Sequence, residues 1–189
     1  MKEFKPSDKI ELKVGGSVTI KKKLGEGGQG VVYLVELNGK DYALKFYTQP
    51  ITKEFYDNLD NNIKNGAPTS AFLWPQFLTV WKENHFGYIM SLRPDEYKDF
   101  SHFLLAKVRF ASLSAMINAA LQISNAFHDL HRSGHSYQYL NDGNFFINPQ
   151  TGAVLICDND NVAPYGTNVD IAGKCRYMSP EVVLGENSS

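Results

Sequence analysis

Apolar and polar residues alternate in short runs over the first half of the chain and recur at helical spacing over much of the second. The short apolar runs Ile10–Val14, Ser17–Ile20, Val31–Leu37 and Tyr42–Tyr47 make residues 9–48 β-rich, with turns at Gly15-Gly16 and Asn38-Gly39. The Asn-Gly pair between VVYLVEL and KDYALKFY predicts a hairpin, because both turn positions tolerate positive φ. From about Thr52 to Lys64 the period changes: Phe55, Leu59 and Ile63 share one helical face, and Gly66 closes the segment. Past Pro68, AFLWPQFLTVW and HFGYIMSL predict two more strands. Residues 1–92 therefore read as a sheet of about five strands with one helix.

Residues 93–189 are patterned differently. Arg93–Phe100 is a polar connection containing Pro94, and Ser101–Lys107 is a short helical stretch. Ser112–Arg132 carries the strongest helical signal, with Leu113, Met116, Ile117, Ala120, Ile123, Phe127 and Leu130 as a wide apolar stripe and Gly134 at the C-terminal cap. Then comes YQYLNDGNFFINPQTGAVLICDND, Tyr137 to Asp160: a polar loop, the strand NFFI, a Pro149/Gly152 turn, the strand VLIC and a second polar cluster. A hairpin brings Asn144, before its first strand, to the same end as Asp158, after its second. A carboxamide oxygen and a carboxylate converging there suit a hard cation such as Mg²⁺. A polar loop, Asn161–Gly173, and RYMSPEVVLGENSS complete the chain.

Composition narrows the function classes. The 189 residues are 43% hydrophobic and 21% charged with a net charge of −1, which argues for no nucleic acid or anionic membrane partner. Lys21-Lys22-Lys23 reads as a solvated strand end. No run approaches the roughly 18 apolar residues of a membrane span. The start, MKEFKPSDKIELK, is too charged for a signal peptide. Cys157 and Cys175 lack metal spacing and read as reduced thiols of a cytoplasmic protein.

Four motifs follow in order. Gly25-Glu26-Gly27-Gly28-Gln29-Gly30 lies between two strands, which disfavours a dinucleotide-binding turn and suits backbone N–H groups closing over phosphates. Ala43-Leu44-Lys45 lies on the next strand, Asn144 and Asp158 flank the hairpin, and Gly173–Glu181 reads GKCRYMSPE. Together, from about Ile20 to Glu181, they resemble the protein kinase family: its glycine loop, its VAIK lysine, its catalytic and magnesium loops, and its GTxxYxAPE segment. The NDGN and DNDN forms, with FLWP at Phe72–Pro75, resemble bacterial branches of that family.

The resemblance implies an α+β, two-lobe fold: an antiparallel N-lobe over residues 1–92 and an incomplete helical C-lobe over 93–189. It implies ATP and Mg²⁺ as cofactors. Gly25, Gly27 and Gly30 would cover the phosphates, and Lys45 would contact them. Val32 and Ala43 would enclose the adenine, with Met90, Ser91 and Leu92 at its edge. Asn144 and Asp158 would hold the metal. Of the helix acids, Asp60 is the first choice to pair with Lys45, with Glu54 and Asp57 as runners-up. RYMSPE favours a protein substrate over a small molecule.

The chain departs from the pattern in its catalytic loop, Tyr137-Gln138-Tyr139-Leu140-Asn141-Asp142-Gly143-Asn144. Tyr139 stands where the family has the aspartate that orients the substrate hydroxyl, and a protonated phenol is a poor acceptor for that proton. The expected outcome is nucleotide and metal binding with slow or no transfer; the alternative is a pseudokinase module that signals by shape or partner recruitment. Gln138 in place of arginine implies an activation segment that needs no phosphate to neutralise a charge. The family adds helices after its APE motif, so the stripe of Ser112–Arg132 calls for missing C-terminal helices or a partner chain.

Overall fold

The computed structural model describes residues Glu3–Thr167, which divide into two compact units. One comprises residues 3–65 together with Trp74–Leu92; the other comprises Gly66–Leu73 and residues 93–167. The segment from Gly66 to Leu73 is thus an excursion from the first unit into the second. The expected Gly173–Glu181 motif and Cys175 lie outside the described residues.

The first unit is built on strands β1 (Lys9–Glu11), β2 (Ser17–Glu26), β3 (Gly30–Leu37), β4 (Lys40–Tyr47), β5 (Pro75–Leu78) and β6 (Gly87–Ser91), with helix α1 (Lys53–Asn65) between β4 and β5. They form one sheet in the order β1-β2-β3-β4-β6-β5, and every pairing is antiparallel. The sheet has six strands against the about five expected; β1, a three-residue edge strand paired with Ser17–Thr19, overlaps the start of the run Ile10–Val14. The β3–β4 turn carries Asn38 at φ 52° and Gly39 at φ 77°, as the Asn-Gly signal requires. On one face of the sheet Val18, Ile20, Val31, Tyr33, Val35, Leu44, Phe46 and Ile89 make a continuous core, against which Phe4 packs edge-on to Tyr33 and Phe46.

Helix α1 begins where the Thr52 hydroxyl accepts the Phe55 N–H at 3.2 Å, and ends before Gly66 at φ 78°. Its inner face is Phe55, Tyr56, Leu59 and Asn62. Tyr47, Phe55, Tyr56, Trp81 and Phe86 form an aromatic cluster on that side, with Trp81 stacked on Phe86 at 5.5 Å.

The second unit holds β7 (Lys98–Asp99), α2 (Phe100–Leu104), α3 (Leu113–Arg132), β8 (His135–Tyr137), β9 (Phe145–Ile147), β10 (Val154–Ile156) and β11 (Val162–Pro164), plus 3₁₀ turns at Asp142–Asn144 and Asn159–Asn161. The β9–β10 hairpin pairs Phe145 with Ile156, and β11 pairs with β8. Ser112 caps α3 by accepting the Ala115 N–H at 3.1 Å. Small residues let α3 lie flush on the hairpin turn. A Cβ on Gly152, which sits at φ 73°, would stand 2.0 Å from the Ala115 carbonyl oxygen.

Only part of the expected apolar stripe is buried. Leu130 is enclosed together with Ala115, Ala119 and Ala126, whereas Leu113, Met116, Ile117 and Leu121 are 46–67% exposed. The hairpin takes the narrow alanine face because a small residue permits close backbone approach, and the large side chains point away from it. No helix of the described residues is long and apolar enough to cross a membrane.

Candidate active site

In the first unit, strand alternation gathers the expected residues. Cross-strand partners share a face of the sheet, and the register opposes Val32 to Lys45, Lys45 to Tyr88, and Ala43 to Met90. Val32, Ala43, Lys45 and Met90 therefore lie on the face opposite Leu44 and Phe46. Ser91 ends β6 and its hydroxyl accepts from the Gln76 amide at 2.7 Å. Leu92 follows it and is largely exposed.

Lys45 is 6% exposed. Its ammonium lies 5.6 Å from the Tyr47 ring centre and 6.0 Å from that of Tyr88, and it donates to Gln29 Oε1 at 3.3 Å. Gln29 belongs to the glycine turn, which closes with Gly27 N–H donating to the Gly30 carbonyl at 2.9 Å. The glycines have different reasons to be glycine. A Cβ on Gly30 would meet the Phe46 carbonyl oxygen at 2.3 Å, so strand packing excludes a side chain there. At Gly25, Gly27 and Gly28 a Cβ would meet open space, so packing does not demand glycine there.

Asp60 does not serve as the partner of Lys45. Its carboxylate is paired with Lys13 at 2.6 Å and with Lys64, one helical turn on, at 2.5 Å. Partial burial disfavours the charged carboxylate, but these two ammonium groups together outweigh it and hold its pKa below the ordinary range. The physical reason is angular: Asp60 follows Leu59, which points into the core, by about 100° of helix rotation. Glu54 and Asp57 are exposed, and Asp57 pairs with Lys53 along the helix. The polar side chain on the buried face is that of Asn62, 2% exposed, and the main-chain carbonyl of this residue accepts the Trp74 indole N–H at 3.0 Å. Its carboxamide breaks the apolar period, and no acid was there to draw attention to it.

In the second unit the hairpin register places Cys157 opposite Asn144, and the Cys157 N–H donates to the Asn144 carbonyl at 2.8 Å. Asp158 comes next, in the left-handed region at φ 55° and ψ 43°, where the chain leaves the strand for the second 3₁₀ turn. Asn144 is 1% exposed. Its Nδ2 donates to the Tyr137 hydroxyl and to the Tyr139 carbonyl at 3.3 Å, while its Oδ1 is buried without a hydrogen-bond partner. Tyr137 in turn donates to the Cys157 carbonyl. Desolvation pushes the Tyr137 phenol well above its ordinary pKa, so its proton stays in place for that bond.

Tyr137 is a residue the motif reading passed over, although it stands two positions before Tyr139 in the same loop. Asn159, in the first position after Asp158, is buried and donates to the Leu73 and Ile156 carbonyls at 2.9 Å each. It thereby fastens the segment 66–73 to the hairpin. Gln138 donates to the Thr167 and Ser136 oxygens through its uncharged amide, and its backbone N–H donates to the Asn161 carbonyl at 3.1 Å.

Two oxygen donors therefore stand at one end of the hairpin, and one of them is an orphan. A buried acceptor left unpaired costs about 1–3 kcal/mol. An oxygen-seeking divalent cation would relieve that cost, so the residues present fit Mg²⁺. Among the described residues no cluster of three or more His, Cys, Asp or Glu side chains could hold a metal ion.

The model of the protein kinase domain matches residues 18–189. The chain belongs to the protein kinase family. Solved kinase domains share the fold. A double mutant of the Mycobacterium tuberculosis PknI kinase domain superposes with a TM-score of 0.69 at 18% identity, over 99% of this chain and 71% of its own. Vaccinia related kinase 3 does so with a TM-score of 0.68 at 14% identity, over 95% of this chain and 61% of its own. No curated protein matches the sequence. Kinase domains generally use ATP with Mg²⁺ and act on proteins, and the α+β architecture of this kinase domain is the family's.

Proposed function

We propose that this chain is the ATP–Mg²⁺-binding domain of a Ser/Thr-type protein kinase in which transfer of the γ-phosphoryl group to protein is impaired by Tyr139. The observation that carries the metal reading is the buried, unpaired Oδ1 of Asn144, one hairpin register step from Asp158. In this reading Lys45 contacts the phosphates and the open backbone of Gly25 and Gly27 closes over them, with Gly30 keeping the strand beneath in place. Val32, Ala43 and Met90 give the adenine an apolar face, with the backbone of Ser91 and Leu92 at its edge. Asn144 and Asp158 supply oxygens to Mg²⁺, which when bound offsets phosphate charge. Tyr139 leaves the substrate hydroxyl without its acceptor, and loss of general-base positioning removes roughly two to four powers of ten in rate. The NDGN and DNDN forms and the free thiol of Cys157 support a place in a bacterial cytoplasm.

A second reading, a pseudokinase that binds nucleotide and recruits a partner, draws support from two observations. Gln138 ties down Thr167 without any charge, and α3 presents four large exposed apolar side chains. Thermal-shift binding of ATP–Mg²⁺ and transfer of labelled γ-phosphate, in this chain and in Tyr139→Asp, separate the readings. Binding in both with transfer gained by the aspartate supports the impaired kinase. Binding in both with transfer in neither supports the pseudokinase. Transfer by the unaltered chain at ordinary kinase rates overturns both, as does absence of binding.

A further inference from the structure

We infer that Tyr137 is a positioning residue for the metal: its hydroxyl fixes which end of the Asn144 carboxamide faces the cation. The inference rests on the proposed ATP–Mg²⁺ reading and concerns how that site is set. It follows from counting protons. A phenol has one hydrogen to donate, and here it goes to the Cys157 carbonyl. Toward Asn144 the Tyr137 oxygen can then only accept. The second group facing the same end of Asn144 is the Tyr139 carbonyl, which also only accepts.

Two acceptors on one side admit the NH₂ end of a carboxamide and repel its oxygen. Oδ1 is therefore turned to the other side, where it has no protein partner. The same phenol links this choice to the second metal strand, because the carbonyl it bonds belongs to Cys157, the residue before Asp158. The backbone bond from Cys157 N–H to the Asn144 carbonyl closes the ring at 2.8 Å. Tyr137, Asn144 and Cys157 thus form a closed circuit in which rotating the amide by half a turn breaks two bonds and sets oxygen against oxygen. The ring of Tyr137 is anchored separately, edge-on to Phe127 of α3 at 5.8 Å, so its placement does not depend on the hydroxyl.

The test uses Tyr137→Phe, which removes the hydroxyl and keeps the ring. ATP affinity is measured with and without Mg²⁺ for both chains, and melting without ligand checks the fold. Groups behind metal ligands set metal affinity by roughly 10–100-fold. The expected result is an unchanged affinity for metal-free ATP, with the tightening produced by Mg²⁺ reduced at least tenfold. A merely structural role would lower both affinities together and overturns the inference. A Mg²⁺ effect equal in the two chains overturns it too, while leaving the parent reading intact. An unaltered chain whose ATP affinity ignores Mg²⁺ overturns the parent reading and this one with it. Should the variant not fold, NMR of the unaltered chain decides. A nuclear Overhauser contact from the Asn144 side-chain NH₂ protons to the Tyr137 ring before metal is added is expected; its absence overturns the inference.

Discussion

Lys45 and Asn144 are both polar and both buried, yet they are held by different devices. Lys45 stands in the middle of an eight-residue strand paired on both sides, so the register fixes it and any side chain of similar length would occupy the same line. Asn144 stands at the end of a 3₁₀ turn before a three-residue strand, and side-chain hydrogen bonds fix it. A site carried by a sheet separates binding from stability; a site carried by hydrogen-bonded loops does not.

That contrast is sharpest in a pair of substitutions. Lys45→Met removes one partner of a charge contact and is expected to weaken ATP binding by about 2–5 kcal/mol, roughly thirtyfold or more, while the melting temperature barely moves. Asn144→Leu is expected to lose the Mg²⁺ contribution and also about 1–3 kcal/mol of stability, because the Tyr139 carbonyl and the Tyr137 hydroxyl lose their donor. Calorimetric titration and denaturant unfolding on both variants measure the two quantities. A stability loss in Lys45→Met as large as in Asn144→Leu would erase the distinction.

Close packing breaks the comparison in a second way. Gly152→Ala places a methyl group on the Ala115 backbone at a left-handed residue, and a cost of about 2–4 kcal/mol in unfolding free energy is expected. Gly30→Ala, against the Phe46 carbonyl, is expected to cost about 1–3 kcal/mol. Gly27→Ala, in open space, should stay within about 0.5 kcal/mol for stability and show any effect on ATP affinity instead. Equal stability losses at Gly27 and Gly30 would mean that the glycine turn is not split between packing and ligand access.

A smaller stability effect than at Gly30 or Gly152 is expected at Asp60. Its folded pKa is depressed, so its contribution is present above the unfolded carboxylate value of about 3.9 and is lost as pH falls through the lower folded value. With Lys13 and Lys64 partly exposed, solvent screening limits it to about 0.5–1 kcal/mol. Asp60→Asn should lower stability by that amount at pH 7 and by less near pH 3, measured by urea unfolding. An effect that grows toward low pH would contradict the ion pairing.

These differences also explain what could be seen in the chain of letters. The common face of Ala43 and Lys45 was legible because a period of two sets it within one strand, whereas Val32 and Met90 join that face through the cross-strand register. The α1 boundaries, the Asn38-Gly39 turn and the Ser112 start of α3 were legible because caps and turns are local chemistry. The direction of Asp60 was not, since an acid one residue past a core leucine has no signal separating a half-buried surface pair from an inward one. Asn62 was silent because a carboxamide within an apolar face resembles a gap in the pattern. Tyr137 was hidden by Tyr139: two tyrosines in one loop differ in role only through the carbonyls each meets, which a sequence does not list.

The most direct test replaces Mg²⁺ with paramagnetic Mn²⁺ and follows residue-assigned NMR signals of the unaltered chain. Substoichiometric Mn²⁺ with ATP is expected to erase the Asn144 side-chain amide and the Asp158 backbone amide, and to broaden the ATP phosphorus signals in the same sample. Sharp Asn144 and Asp158 signals while ATP and Mn²⁺ are both bound would contradict the proposed metal site.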